Sequence, residues 1–392
     1  MSRFRAGIVG GSLAGLTAAL TLRDAGWDVE LFERAPADMT ATGAGLTVQE
    51  PSVRYLIERG GAKVEDLTFE VEGVRYLNPD GSVRYEARRP TRFTTWGTLH
   101  RGLMELYGTK HYHASHPVLG VTERENGRVY LATESGDEGP FDLVVGADGV
   151  NSTVRAAVAP GIALEPAGYL AWRCVADVSR VSRETSDTFD QRLTYCLGDR
   201  THCVIYPVPP REPGGERRIN MVWYRNYESP GQVAELLTDR NGVRRPLSVP
   251  PGLMAHKYVA EMREAAKALA PQAAEVVAGA DEPFSQLIGD LRVPQMVYGR
   301  VVLIGDAACV ARPHVASGAA KASENAWTLA AALKDWDGDP ARLEAWEQDQ
   351  LRESEILCES GRLQGYRGQV EGTWDPRDPT FDVRSFKERV HG

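Results

Sequence analysis

The stretch RAGIVGGSLAGLTAALTLRDAGWDVELFER, running from Arg5 to Arg34, constrains the fold more than any other part of the chain. An apolar strand over residues 6–9 runs into Gly10 and Gly11, and Leu13, Leu16 and Leu20 then recur at helical spacing. A second strand over 29–32 ends in Glu33. Strand, tight turn and helix in this order form a Rossmann-like entrance. Small residues let the backbone approach a pyrophosphate at the helix N-terminus, and a carboxylate ending the second strand accepts hydrogen bonds from ribose hydroxyls. The pattern implies FAD or NAD, with Gly10, Gly11, Ser12, Gly15, Glu33 and Arg34 as candidate cofactor residues. Ser12 occupies the middle place of the glycine fingerprint, where its side chain narrows the approach to phosphate yet can donate a hydrogen bond.

A chain of 392 residues with 42% hydrophobic residues buries a large core and is expected to form two domains. Its net charge of -9, without a long basic run, argues against nucleic acid as a partner; Arg88, Arg89 and Arg92 are a local cluster only. No apolar run reaches the roughly 20 residues that span a bilayer, and too few residues precede the first strand for a signal peptide, so a cytoplasmic protein with no membrane partner is expected. The five cysteines, Cys174, Cys196, Cys203, Cys309 and Cys358, have no paired spacing and read as free thiols. His111, His113 and His116 could share one strand face, but no carboxylate or cysteine at matching spacing completes a metal site, so no metal is expected.

A glycine-rich turn at 43–45 and a helix over 52–59 follow the entrance. Short alternating segments at 73–93 and 169–227, punctuated by Pro79-Asp80-Gly81 and Gly198-Asp199, predict an antiparallel sheet. Two buried-type strands, 141–146 and 300–304, end in Ala147-Asp148-Gly149 and Gly305-Asp306. The expected architecture is α/β: a discontinuous Rossmann-like FAD-binding domain (1–72, 97–167 and 285–365) interrupted by an antiparallel sheet domain for substrate (73–96 and 168–284), with a C-terminal tail over 366–392. The segment 207–215 reads as an exposed loop, helices over 253–280 break at Pro271, and Asp339-Pro340 starts a last helix with Leu343, Trp346 and Leu351 on its apolar side.

Asp306 ends a strand where ligands of open α/β sheets gather and can accept from ribityl hydroxyls. The following RPHVASGAAK, residues 312–321, carries a proline, a histidine and a small-residue turn into a helix. Lys321 falls in the first turn of that helix, where a cation opposes the helix dipole unless an anion is near. A helix N-terminus aimed at a reduced isoalloxazine ring would stabilise its negative charge.

With GGSLAG at 10–15, GADGVNSTVR at 146–155 and GDAA at 305–308, the chain resembles the single-component flavin-dependent aromatic hydroxylases, the p-hydroxybenzoate hydroxylase family. GYLAWR at 168–173 and RPHVASGAAKAS at 312–323 resemble its hydroxypyridine-hydroxylating branch, and the likeness extends to about residue 351. The resemblance implies that Gly10, Gly15 and Glu33 hold the ADP half of FAD, with Gly11, Ser12, Arg34 and Gln49 as further contacts and Arg101 approaching the pyrophosphate. Asp306 would bind the ribityl chain, Gly318 and Ala319 would lie by the flavin pyrimidine, and Asp148 would belong to the motif linked to both FAD and the reduced nicotinamide. Cys309 stands where many relatives carry histidine after GDAA, which puts any role of that histidine in doubt here.

The implied activity is monooxygenation. NADH or NADPH binds transiently and reduces tightly bound FAD, O2 adds as a flavin C4a-hydroperoxide, and OH is transferred to an electron-rich aromatic or N-heteroaromatic substrate. Homodimerisation is a family expectation. A group that deprotonates the substrate hydroxyl is required, with His314 the first candidate and Tyr195, His202 and Tyr206 expected around the substrate. The alternative is an FAD-dependent oxidase or dehydrogenase of a small aromatic molecule, without oxygen insertion.

Overall fold

The computed structural model describes residues 4–36, 45–210, 214–227, 229–378, 381 and 388. Its first sheet has six strands in the order Val297–Tyr298, Val301–Leu303, Leu143–Gly146, Arg5–Val9, Asp28–Phe32 and Tyr112–His113. All neighbours are parallel except the outermost pair, Val297–Tyr298 with Val301–Leu303. Parallel strands covered on both faces read as continuous apolar runs, and Ile8, Leu143, Val144, Val145 and Val302 are fully buried. Helices Leu13–Asp24 and Gly318–Ala332 pack together beside this sheet, their Leu16, Leu20, Ala326 and Leu329 entering one core with it. A small three-stranded sheet, Val118–Glu123, Val129–Thr133 and Gly136–Phe141, adds Val129, Leu131 and Phe141 to that core.

The second sheet has nine strands in the order Cys309–Val310, Phe284–Arg292, Glu165–Asp177, Arg218–Asn226, Thr201–Val208, Arg192–Gly198, Phe69–Leu77, Val83–Thr95 and Gly45–Thr47. It is antiparallel apart from one pair: Arg192–Gly198 runs parallel to Phe69–Leu77. The two strands are joined by over a hundred residues, so no tight turn forces them antiparallel. Strands also run through the domain joints expected at 73, 168 and 285, with register shifts at Val71/Gly73 and Pro166/Leu170 bending the first two without ending them.

Alternation gives this sheet two distinct faces. Leu170, Trp172, Cys174, Cys203, Met221 and Trp223 pack with Met262, Ala273 and Val276 of helices His256–Ala265 and Pro271–Gly279. The opposite face is aromatic, with Tyr169 and Tyr224 in one cluster and Tyr195 and Tyr206 in another. Pro271 opens the second of those helices at its first turn.

Asp339 caps a short 3-10 turn, Pro340–Leu343, by accepting from the Ala341 N–H at 2.9 Å, and helix Glu344–Tyr366 follows with Leu343 and Trp346 buried. Beyond it the chain turns back through Arg367–Glu371, and the Trp374 ring lies 4.5 Å from that of His202 and 5.5 Å from that of Tyr195. The start of the expected tail is therefore a strap seated on the sheet. The glycine turn expected at 43–45 lies outside the described residues except for Gly45, and the loop at 207–215 lies partly outside them.

Candidate active site

The nucleotide entrance is built by close backbone contact. Gly10 has φ +107° and donates to the Phe32 carbonyl at 2.8 Å; a Cβ on Gly15 would lie 1.8 Å from the Gly10 carbonyl oxygen. Only glycine accommodates both positions. Glu33 is buried, and its carboxylate accepts from the Gly11 N–H at 2.6 Å and the Ala35 N–H at 2.8 Å, which fixes it beside the turn. The Ser12 hydroxyl accepts from the Trp96 indole at 3.1 Å, while Arg34 is exposed next to Glu33. Arg101, on helix Trp96–Tyr107, is half-buried with no ion partner among the described residues.

The three motifs separated in sequence meet in space. Asp148 accepts from the Thr153 and Val154 N–H groups at 2.7 and 3.1 Å and from the Ser152 hydroxyl, capping helix Thr153–Val158. Arg155 of the same motif donates to Val150 O at 2.6 Å and to Ala307 O at 3.1 Å, tying it to GDAA. Lys321, 1% exposed, turns its ammonium back to Gly305 O at 3.2 Å, to Cys309 O, and to the exposed Asp306 carboxylate at 3.3 Å. The anion that offsets the unfavourable helix dipole is thus Asp306. Gln49 reaches from a distant strand end to donate to Ala316 O at 2.8 Å and the Ser317 hydroxyl at 3.1 Å, immediately before Gly318 and Ala319 at the helix start. Cys309 lies 3.5 Å from Cys358, and that contact and the Lys321 charge hold its thiol below the usual cysteine range.

This arrangement fits FAD. A positive-φ glycine turn and a fixed carboxylate stand ready for the adenosine half, an unpaired arginine for the pyrophosphate, and the exposed Asp306 with the 316–319 turn for the ribityl and ring end.

The aromatic face of the nine-stranded sheet meets this region at His314. Its Nε2 is 2.7 Å from the Tyr169 hydroxyl, and its ring lies 4.5 Å from Tyr224 and 5.4 Å from His202. Burial, with His202 and Arg312 nearby, lowers its pKa well below the usual imidazole value. Arg312 donates to Tyr169 Oη at 3.4 Å and is anchored by Asp290 at 2.9 and 3.0 Å. His202 is buried, its Nδ1 2.7 Å from the Gln369 amide, and burial pulls its pKa down to about 3. Tyr206 stacks on Phe93 at 4.1 Å beneath Gly45, and Tyr195 stacks on Tyr76 at 4.8 Å, one strand further from His314. Thus His202 is brought to His314, while Tyr206 and Tyr195 are packed progressively farther along the face. A cavity of about 230 Å³ under the strap touches His202, Leu197 and Trp374, but no residue of the glycine or GDAA motifs lines it.

Several residues of the site escaped the sequence reading. His100 is buried, accepts no role from any motif, and places Nε2 3.0 Å from Gly11 O while stacking on Trp96 at 4.4 Å. Tyr169 and Tyr224 join His314 from two strands. Only their alternation with Leu170 and Trp223 marked a face. His111 and His113 share the Glu30 carboxylate at 3.0 and 2.7 Å, and no group of three or more metal-ligating side chains occurs among the described residues.

A Rossmann-like sheet, three converging motifs and an aromatic sheet face together define the class: the chain belongs to the FAD-dependent aromatic hydroxylases of the p-hydroxybenzoate hydroxylase family, and it is an FAD-dependent monooxygenase. A family model described as FAD binding domain-like matches residues 166–290. The chain is 34% identical to 2,6-dihydroxypyridine 3-monooxygenase of Paenarthrobacter nicotinovorans, over 96% of this chain and 94% of that protein. The solved structure of 2,6-dihydroxypyridine-3-hydroxylase from Arthrobacter nicotinovorans superposes with a TM-score of 0.93, covering 98% of this chain and 97% of that one at 34% identity. Salicylate hydroxylase of Pseudomonas putida is 28% identical over 94% of this chain and 88% of its own. No helix among the described residues is long and apolar enough to cross a membrane.

Proposed function

We propose that the chain hydroxylates a hydroxypyridine-like ring, using NADH or NADPH as transient reductant and O2 as co-substrate. The observation that carries this reading is the Asp290–Arg312–Tyr169–His314 chain at the point where the aromatic sheet face meets the turn leading to Gly318. Similarity to a dihydroxypyridine monooxygenase supports the substrate class. When bound, FAD supplies the reducible ring on which oxygen is activated.

The protein's own part is to orient the substrate and manage its proton. Arg312 donates to Tyr169 Oη, which leaves the Tyr169 proton directed at His314 Nε2. The His314 nitrogen available to a ring hydroxyl is then Nδ1. Neutral and accepting at Nε2, His314 carries its proton on Nδ1 and donates there to the oxygen of a deprotonated ring hydroxyl; a proton given up at Nδ1 is replaced at Nε2 from Tyr169, whose oxygen Arg312 steadies. Tyr169, Tyr224, His202 and Trp374 crowd the site with rings, and water exclusion protects the activated oxygen from unproductive release as peroxide. The buried free thiols fit a reducing cytoplasm.

The test is His314→Ala. FAD content is expected to match the wild type while NADH oxidation proceeds with a reduced yield of hydroxylated product, read by following absorbance and product mass together. An unchanged product yield per NADH rejects this role.

A further inference from the structure

Arg173 is a buried cation with no counter-ion among the described residues. It ends the GYLAWR segment on strand Glu165–Asp177, is 8% exposed, and makes no ion pair or hydrogen bond with a described residue. Its Nε is fully enclosed without an acceptor among the described residues. Half-buried Arg312 is matched by Asp290, and buried Arg155 donates to the carbonyls of Ile162, Ala307 and Val150, so both other arginines of the site are given acceptors by the protein. A buried charge left unpaired is costly, and an anion brought by a ligand would relieve that cost.

The register of the sheet shows where that anion would sit. Arg173 shares its face with Tyr169 and Ala171 and stands opposite Val222. The row on one side of it, Ala171, Tyr224 and His202, is the row that meets His314. The row on the other side, Val175, Asn220 and Tyr206, is the row on which Gly45 rests; a Cβ there would be 2.7 Å from the Tyr206 ring and 3.0 Å from Asn220. Arg173 therefore lies between the two places where the FAD-binding part touches the sheet. Asn220 adds an independent sign. Its Oδ1 accepts from the Gly45 N–H at 3.3 Å, but its fully buried Nδ2 has no acceptor among the described residues. Two neighbouring orphan groups, both donors only, call for an acceptor carrying negative charge. The Arg173 charge is also felt by Tyr206 and Tyr224, whose pKa values burial raises and this cation partly restrains.

We propose that Arg173, seconded by the Asn220 amide, is the substrate's counter-ion: it binds a ring oxygen in its oxyanion form, the state in which a hydroxylated N-heteroaromatic or phenol is most electron-rich. The inference rests on the reading of this site as one that hydroxylates such rings. It gives the protein a second anchor, a sheet row away from His314, and so a preference for rings carrying a second ionisable oxygen.

The experiment uses the FAD-loaded protein without reductant and follows perturbation of the flavin absorbance on titration with 2,6-dihydroxypyridine and with its O-methylated counterpart, 2,6-dimethoxypyridine. Wild type is expected to prefer the ionisable ligand, and Arg173→Met to lose about 10- to 100-fold in affinity for it, the range for one hydrogen bond to a charged group, while binding the dimethoxy compound unchanged. Arg173→Lys, which keeps the charge without the fork, should fall between and serves if the Met variant fails to retain FAD. Equal affinity of wild type and variants for 2,6-dihydroxypyridine overturns the proposal. So does a shift in flavin midpoint potential with ligand preference intact, which would assign the donors to the flavin. Failure of wild type to bind either ring overturns the hydroxypyridine reading itself and the proposal with it.

Discussion

A buried ammonium is tolerated when its protons find acceptors, and Lys321 finds three within one strand-to-helix turn. Two are main-chain carbonyls, of Gly305, which also accepts from the Ala308 N–H at 3.2 Å, and of Cys309. The residue thus fixes the GDAA loop in the shape that leaves Asp306 exposed. Lys321→Met keeps the stem's packing and removes the donors, and it is expected to cost about 1–3 kcal/mol through the lost charged hydrogen bonds to Gly305 O and Cys309 O. Urea unfolding of the FAD-free protein measures this directly, and an unchanged midpoint at unchanged slope would show that the carbonyls find other donors.

At the scale of elements, the strap after helix Glu344–Tyr366 seals the aromatic face. Asn226 Nδ2 donates to Gln369 O at 2.7 Å, the Gln369 amide meets His202 Nδ1 at the same distance, and Trp374 covers both. Sealing keeps His202 neutral, with its pKa near 3 in the folded protein. The unfolded chain takes up this proton near the ordinary imidazole value, so it binds more protons than the native state throughout the interval between the two. The contribution is fully present above about pH 6.5 and is lost as pH falls toward 3. Replacing the ring by phenyl, His202→Phe, should flatten the fall of unfolding free energy between pH 6 and 4 by about 1.4 kcal/mol per unit, whatever its effect on absolute stability. Equal slopes would mean that His202 is hydrated in the native state. The strap itself was illegible in the sequence, since residues past 366 are polar and acquire their positions only from Asn226, His202 and Tyr195, all over a hundred residues away. The entrance unit, by contrast, was legible almost to the residue, because strand 5–9, helix 13–24 and strand 28–32 are specified by local periodicity and by glycines whose steric need is local. The same contrast divides the site. Glu33, Asp306 and Lys321 announce themselves within motifs, whereas the pairing of His314 with Tyr169 and the isolation of Arg173 depend on the strand register.

For the molecule as a whole, the two sheets are not joined by a single hinge. The chain crosses between them repeatedly, and side chains stitch distant segments: Gln49 to 316–317, Arg155 to Ala307, Arg312 to Asp290. The residues expected to hold the adenine end of FAD lie near position 10 and those expected at its ring end near 306–319, so one extended ligand would bridge parts of the chain some three hundred residues apart. Binding such a ligand to the native state alone stabilises it by mass action, about 2.7 kcal/mol when free FAD stands at 100 times its dissociation constant. Protein stripped of FAD should unfold in a transition that rises with the logarithm of added FAD. Riboflavin at equal concentration should do far less, because it lacks the pyrophosphate and adenosine that Arg101, Gly10 and Glu33 are expected to hold. Calorimetry with both ligands distinguishes this from a ring-only site: if riboflavin stabilises as strongly as FAD, the glycine entrance contributes no binding energy, and the stabilisation comes from the 306–319 turn alone.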